Sequence, residues 1–211
     1  MRIIFVFFIA IFANAYYVAN IKDVKNLEIK LDKYVKKGAS GVVLCPYENE
    51  SIICARAVSF GNFAKLYVYD NLKNRAFALP IVYPKKDDRV IFGKNYERIM
   101  IIAPNQVIYL KLKDRFKNFT IIPSDVFAAF IDKLPTREDF INFAKKMDIG
   151  LYVFVLDKVY LVDAYSFYVI ATQDLPLNYK NFKKPFYSSY NFDIKENILN
   201  YYKKLLRGIN D

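Results

Sequence analysis

"VVLCPYENESIICARAV", Val42 to Val58, holds both cysteines of the chain, Cys45 and Cys54. Strand-like residues flank a polar, turn-forming run, Glu48-Asn49-Glu50-Ser51, so the stretch predicts a β-hairpin. Folding it symmetrically about Asn49-Glu50 sets Cys45 opposite Cys54. A two-residue loop would place their Cα atoms about 4.5 Å apart, but it strands Pro46 at a hydrogen-bonded position with no N–H to give. A four-residue loop frees Pro46 and widens the pair to about 5.5 Å, still within bridging range. The four-residue loop is the expected register. Two readings of the pair stand: a disulfide, contributing about 2 kcal/mol in the chain-entropy picture, or two small reduced core residues. Two thiolates cannot complete a structural zinc site.

The compartment decides between those readings. The N-terminus, "MRIIFVFFIAIFANA", has a cation at Arg2, an apolar run from Ile3 to Phe12, and small residues at Ala13 and Ala15. That is the form of a secretory signal peptide over residues 1–15, with cleavage expected after Ala15. An uncleaved anchor is the alternative, because apolar residues resume at Tyr16, Tyr17, Val18 and Ala19. Spanning needs about 20 apolar residues, and no later stretch reaches that length. The expectation is an exported chain with no membrane span once matured, in the periplasm or on the outer cell surface. Oxidising conditions there favour the Cys45–Cys54 disulfide.

Composition narrows the chemistry. At 55% hydrophobic and 25% charged residues the chain is globular, not disordered. Its net charge of +11 is spread as lysine pairs (36–37, 85–86, 145–146, 183–184, 203–204), with no block of five. Export and this dispersal speak against nucleic acid as a partner. The nearest approach to a nucleic-acid element is "YKNFKKPFYSSY", Tyr179 to Tyr190, which suits acidic glycans or lipid headgroups as well. Histidine is absent, which excludes Ser-His-Asp and Cys-His catalysis and His-ligated metals. Asp163, paired with Glu138 or Asp157, is the one acid–base constellation to consider, although turn acids are usually structural. No enzyme activity, cofactor or metal is expected.

Outward from the hairpin, Tyr16 to Asn26 reads as a short lead-in. "LEIKLDKYV" alternates, with Leu27, Ile29 and Leu31 opposing Glu28, Lys30 and Asp32. "AKLYVYD" alternates too, pairing Leu66 with Val68 on one side and Tyr67 with Tyr69 on the other. "FALPIVY" is a possible edge strand, and "KKDD" turns the chain into Arg89-Val90-Ile91-Phe92. Five or six short strands predict a small β-barrel or sandwich, a β-rich domain over residues 26–95.

From Tyr96 the pattern changes. "ERIMIIAP" is a continuous apolar run suited to a strand covered on both faces. Asn105 is placed to cap a helix through about Phe116, with Val107, Leu110 and Phe116 near one side. After the strand "FTIIP", Ser124 is expected to cap "DVFAAFIDKL". Thr136-Arg137-Glu138-Asp139 has the form of a capping box before Phe140, Phe143, Ala144 and Met147, and Gly150 is expected to end that helix. "LYVFVLDKVYLVDAYSFYVIA" predicts an antiparallel meander. Residues 96–175 thus form a layered α/β domain, and residues 176–211 an irregular tail ending in an amphipathic helix carrying Ile194, Ile198, Tyr202 and Leu206. The class is α+β.

Several of these segments carry a resemblance. "IMIIAPN", "PSDVFAAFIDKLPTREDFINFAKKMDIGLYVFVLDKVYLVDAYSF" and "KLYVYDNLKNRAFALPIVYPKKDDRVIF" are similar to the plasminogen-binding protein N-terminal domain family of Helicobacter/Campylobacter-type bacteria. The likeness runs from about Asn26 to Asn191. It implies an exported, non-enzymatic protein that recruits host plasminogen, whose kringle domains grip a lysine ammonium and favour a nearby carboxylate. Relatives with a C-terminal extension present a terminal lysine, whereas this sequence ends Gly208-Ile209-Asn210-Asp211. The expected contact then falls on internal lysines beside acids: Lys85, Lys86, Asp87 and Asp88 first, and "KKMD", Lys145 to Asp148, second. The alternative partner is another envelope protein, with the chain as a periplasmic adaptor of the cell envelope or of flagellar assembly.

Overall fold

Alternation of apolar and polar side chains builds the first half. The computed structural model describes residues 16–69, 82–174 and 196–207. Residues 1–15, most of "FALPIVY" and all of "YKNFKKPFYSSY" lie outside them, so the expectations placed there go unanswered. Strand β2 (Glu28–Val35) turns Ile29, Leu31 and Val35 inward and leaves Glu28, Lys30 and Asp32 in water. It joins β1 (Tyr17–Lys25), β3 (Ser40–Tyr47), β4 (Glu50–Ser59), β5 (Gly61–Tyr67) and β6 (Arg89–Phe92) in a closed barrel of order β1-β2-β5-β4-β3-β6. Every neighbouring pair is antiparallel. The bore is narrow, and its filling shows it: Ala19, Ala55, Ala57 and Ala64 pack against Ile21, Ile29, Leu31 and Phe92.

Three expectations change here. Tyr16 to Asn26 is no lead-in, because Tyr17–Lys25 is the strand that closes the barrel against β6 through Ala19↔Val90 and Val18↔Ile91. Its alternation is disguised by a core alanine and by an irregularity between Ile21 and Asp23. Val68 does not share the core face with Leu66, since β5 stops at Tyr67 and leaves Val68 in solvent. The cysteine hairpin takes a two-residue loop, Glu48-Asn49, with Tyr47 paired to Glu50 and Glu48 at φ 53°. Val43 pairs with Ala55 but Leu44 with Ile53, so Cys54 is a bulge residue and Cys45 faces Ile52. Because the loop is shifted by one residue, Pro46 stands across from Ser51 at a non-hydrogen-bonded pair and needs no N–H, and the shift, with the bulge at Cys54, takes the cysteines off direct opposition. They form a disulfide with Cα atoms 5.7 Å apart, on the core side of the barrel.

The second half is a five-stranded sheet of order β11-β10-β9-β7-β8, formed by β7 (Arg98–Ile102), β8 (Thr120–Ile122), β9 (Leu151–Val155), β10 (Lys158–Asp163) and β11 (Val169–Asp174). β7 runs parallel to β8 and β9, and β9, β10 and β11 form the expected antiparallel meander. The apolar run of β7 serves both faces: Ile99 and Ile101 in one core, Met100 and Ile102 in the other. Helix α1 (Gln106–Arg115) covers the first. Helices α2 (Ser124–Ala128), α3 (Arg137–Met147) and α4 (Ile198–Arg207) cover the second. At the centre of that second core the Phe140 ring meets Phe127 at 4.6 Å, Tyr152 at 5.1 Å and Phe154 at 5.3 Å between centroids. The α+β class holds.

Helix ends test local chemistry. Asn105 caps α1 by accepting the Ile108 N–H at 3.0 Å. The face α1 buries is Ile108 and Leu112, continued by Phe116, whereas Val107 and Leu110 point to solvent. Pro123 takes the cap position of α2, so Ser124 is its first residue, and the helix stops at Ala128 without reaching Leu134. Thr136 and Asp139 make the capping box of α3. Asp148, not Gly150, ends α3, in the left-handed conformation at φ 54°. Helix α4 buries Ile198, Tyr202 and Leu206, and Ile194 lies outside the described residues.

Candidate functional site

The barrel meets the sheet around one carboxylate. Asp163, at the end of β10, is fully buried. Its Oδ2 accepts hydrogen bonds from Ser40 N at 2.8 Å, Ser40 Oγ at 2.7 Å and the Tyr96 hydroxyl at 2.7 Å. Its Oδ1 accepts from Tyr165 N at 3.0 Å and Ser166 N at 2.8 Å. Ser40 opens β3, and Tyr96 lies on the Gly93–Tyr96 turn between β6 and β7, so five donors from three segments converge on one group. Around it, Ser166 Oγ donates to Gly38 O at 2.6 Å, and the buried Arg56 guanidinium lies 3.4 Å from the centre of the Tyr165 ring. A small cleft beside this junction is lined by Arg56, Lys94, Asn95 and Tyr165.

This settles the role of Asp163. Neither Glu138 nor Asp157 is among the groups that hold it. Asp157 instead faces Lys203 at 3.1 Å and accepts from the Tyr160 hydroxyl at 3.0 Å. The Asp163 carboxylate is saturated by donors and closed to water, which makes it a tie between the two halves of the fold. Sequence reading reached Asp163 but missed Ser40, Tyr96 and Arg56. Asp163-Ala164-Tyr165-Ser166 does carry a local signal, since an aspartate accepting backbone N–H groups two and three residues on is an Asx turn.

Burial also sets how these tyrosines titrate. Tyr96 is pushed well above its ordinary value by burial and then by the Asp163 charge, and Tyr152 is raised by burial. Tyr160 is pushed up to about 12, first by burial and then by its bond to Asp157. A raised acid stays neutral in the folded chain while the unfolded chain ionises. The stability it contributes is therefore complete below the ordinary tyrosine value of about 10 and lost as pH rises beyond it. Thermal melts between pH 8 and 12 are expected to show a flat midpoint that falls from about pH 10. A Tyr96→Phe chain should lose less over the same window.

The turn expected to meet a partner has two parts. Lys85, Lys86 and Asp87 are exposed, with Asp87 at φ 74°. Asp88 points inward and accepts Lys85 N at 2.7 Å. The turn is pinned to β1, since Asp87 N donates to Ile21 O at 2.8 Å and Ile21 N to Asp88 O at 2.9 Å. The second-ranked run is more committed to structure. Asp148 accepts from Asn95 Nδ2 at 2.5 Å and the Tyr165 hydroxyl at 3.3 Å, and Lys146 lies 5.1 Å from the Phe130 ring. Among the described residues, no cluster of three or more acids or cysteines is placed to hold a metal ion.

The described residues thus form a disulfide-tied barrel fixed to a layered sheet, with the Lys85 to Asp88 turn pinned to β1. The chain belongs to the family described as plasminogen-binding protein pgbA N-terminal, which it matches over residues 16–206. No curated protein and no solved structure matches it significantly.

Proposed function

We propose that this chain is an exported, non-enzymatic binding protein that recruits host plasminogen at the cell surface, with lysine side chains gripped by kringle domains. Membership of the family over residues 16–206 carries the reading. The Cys45–Cys54 disulfide supports maturation in an oxidising compartment. Among the described residues no helix is long and apolar enough to cross a membrane. The Lys85 to Asp88 turn is the contact we favour. Lys85 and Lys86 offer ammonium groups next to the exposed Asp87 carboxylate. Asp88 and the β1 bonds hold the turn's backbone in one shape, so little ordering entropy opposes capture.

Binding of the mature chain to immobilised plasminogen, with and without 6-aminohexanoic acid, tests this. The lysine analogue is expected to abolish capture, and Lys85→Ala with Lys86→Ala to weaken it about tenfold, or about 1.4 kcal/mol. Capture indifferent to the analogue would remove the kringle mode. Capture unchanged in the double variant would remove this turn. Protection from external protease in intact cells would place the chain in the periplasm and favour the adaptor role.

A further inference from the structure

The barrel wall has two unlike halves. On β3 and β4 the outward residues Ser40 and Arg56 are covered by the second sheet through Asp163 and Tyr165. On β1, β2 and β5 the wall faces water. There Tyr34, Phe63 and Tyr67 are 66%, 51% and 44% exposed. On β5 a lysine alternates with two of these rings, and on β2 the outward order is Glu28, Lys30, Asp32 and Tyr34, with the Asp32 carboxylate taken up by Asn20 N and Nδ2. Lys30 stands directly across from Phe63, and Lys65 across from Glu28, with its Nζ 5.8 Å from the centre of the Tyr67 ring. Along β5 the outward order is ring, ammonium, ring at Phe63, Lys65 and Tyr67, each step about 7 Å for two residues of strand. Tyr34 is set in place by a missing side chain: its Cε2 lies 3.2 Å from where a Gly61 Cβ would stand, and Gly61 sits at φ +98°.

One exposed ring is ordinary, but three on one wall set among lysines make a surface with its own chemistry. We propose that this wall is a platform for an anionic polysaccharide. Rings offer apolar faces to the C–H faces of sugars. Lys30 and Lys65 pair with the carboxylate or sulfate carried once per repeat, and Glu28 and Asp23 accept sugar hydroxyls. The acids separate this ligand from single-stranded nucleic acid. A phosphate at every nucleotide would be driven against Asp23 and Glu28, each directly across from a lysine. The lysines separate it from a protein partner docked through an apolar interface core, which is depleted of lysine, and a kringle grip on these lysines is told apart by the lysine analogue. This platform is independent of the Lys85 to Asp88 turn and of plasminogen.

Biolayer interferometry of the mature chain on immobilised hyaluronan and keratan sulfate, in about 0.15 M salt, tests it, with neutral dextran and oligo(dT) alongside. Saturable binding is expected to at least one of the two anionic polysaccharides, and which one distinguishes a carboxylate from a sulfate preference. Dextran should not bind, and oligo(dT) should bind at least about tenfold more weakly. The combined change Tyr34→Ser, Phe63→Ser and Tyr67→Ser should weaken polysaccharide binding about tenfold or more and lower the melting midpoint by no more than about 6 °C, because all three rings are at least 44% exposed. Lys85→Ala with Lys86→Ala, and added 6-aminohexanoic acid, should leave it unchanged. Three results would overturn the proposal: no saturable binding to either polysaccharide, oligo(dT) bound as tightly, or binding that survives loss of the rings and so is mere ion exchange.

Discussion

Replacing Asp163 with asparagine is expected to destabilise the fold by about 3 kcal/mol and to lower the thermal midpoint by about 6–12 °C. Each oxygen of the carboxylate already faces donors only: Ser40 N, Ser40 Oγ and Tyr96 OH on one side, Tyr165 N and Ser166 N on the other. An amide has one acceptor. If its NH2 group faces Tyr165 and Ser166, two backbone N–H groups lose their acceptor in a site closed to water. If it faces Ser40, the Ser40 N–H does, and the two hydroxyls must turn away. Asp163→Ala should cost more, because all five donors lose their partner. Asp157→Asn is the matched comparison. Its pair with Lys203 is half open to solvent, so the change should stay within about 1 kcal/mol. Equal melts for the two asparagine variants would show that the junction contributes no more than a surface ion pair.

Much of the fold is legible in the sequence, and for a definite reason. β2 and β9 to β11 read correctly because half-buried or doubly covered strands impose periods that survive in composition, and the capping box of α3 reads correctly because its partners are three residues apart. The errors share a cause. β1 was hidden because its core contacts use Ala19 beside Ile21 and a local irregularity breaks the alternation after Ile21. The hairpin register escaped because a one-residue shift of the loop and a bulge at Cys54 move the cysteines from opposite to diagonal. On α1 the apolar residues occupy both faces, so periodicity alone could not choose Ile108 and Leu112 over Val107 and Leu110.

The candidate site divides in the same way. That "KKDD" is a turn with charged residues in water is local information. That Asp88 spends its carboxylate on Lys85 N, and that the turn leans on Ile21, depends on a strand more than sixty residues earlier in the chain. Asp163 shows the limit most clearly. Its Asx turn with Tyr165 and Ser166 is local, but Ser40 and Tyr96 reach it across 123 and 67 residues, and only tertiary structure distinguishes such a tie from an acid available for chemistry. The ring-and-lysine wall was likewise readable strand by strand as alternation. Its meaning comes from β2 and β5 lying side by side, on the half of the barrel that the sheet leaves uncovered.

Gly150→Ala is expected to produce the largest loss of any single methyl addition in the fold, about 4 kcal/mol or failure to accumulate folded protein. The reason is position, not dihedral freedom. A Cβ at Gly150 would stand 1.9 Å from Asn95 O and 2.3 Å from Asn95 C, both backbone atoms that no rotamer can move aside. The backbone there is also fixed by its own bonds, Gly150 N to Arg98 O at 2.9 Å and Ala164 N to Gly150 O at 2.9 Å. Relief would require the Gly93–Tyr96 turn to retreat, which withdraws the Tyr96 hydroxyl from Asp163. Gly61→Ala separates crowding from strain. Its φ of +98° penalises alanine, but the nearest atom is the end of the flexible Tyr34 ring, so the cost should be nearer 2 kcal/mol. The coupling is measurable in a double-mutant cycle under urea. Because Gly150→Ala already displaces Tyr96, combining it with Asp163→Asn should cost about 1 kcal/mol less than the sum of the two. Strict additivity would mean that the turn yields without moving Tyr96, and that the close approach at Gly150 and the carboxylate hub act separately.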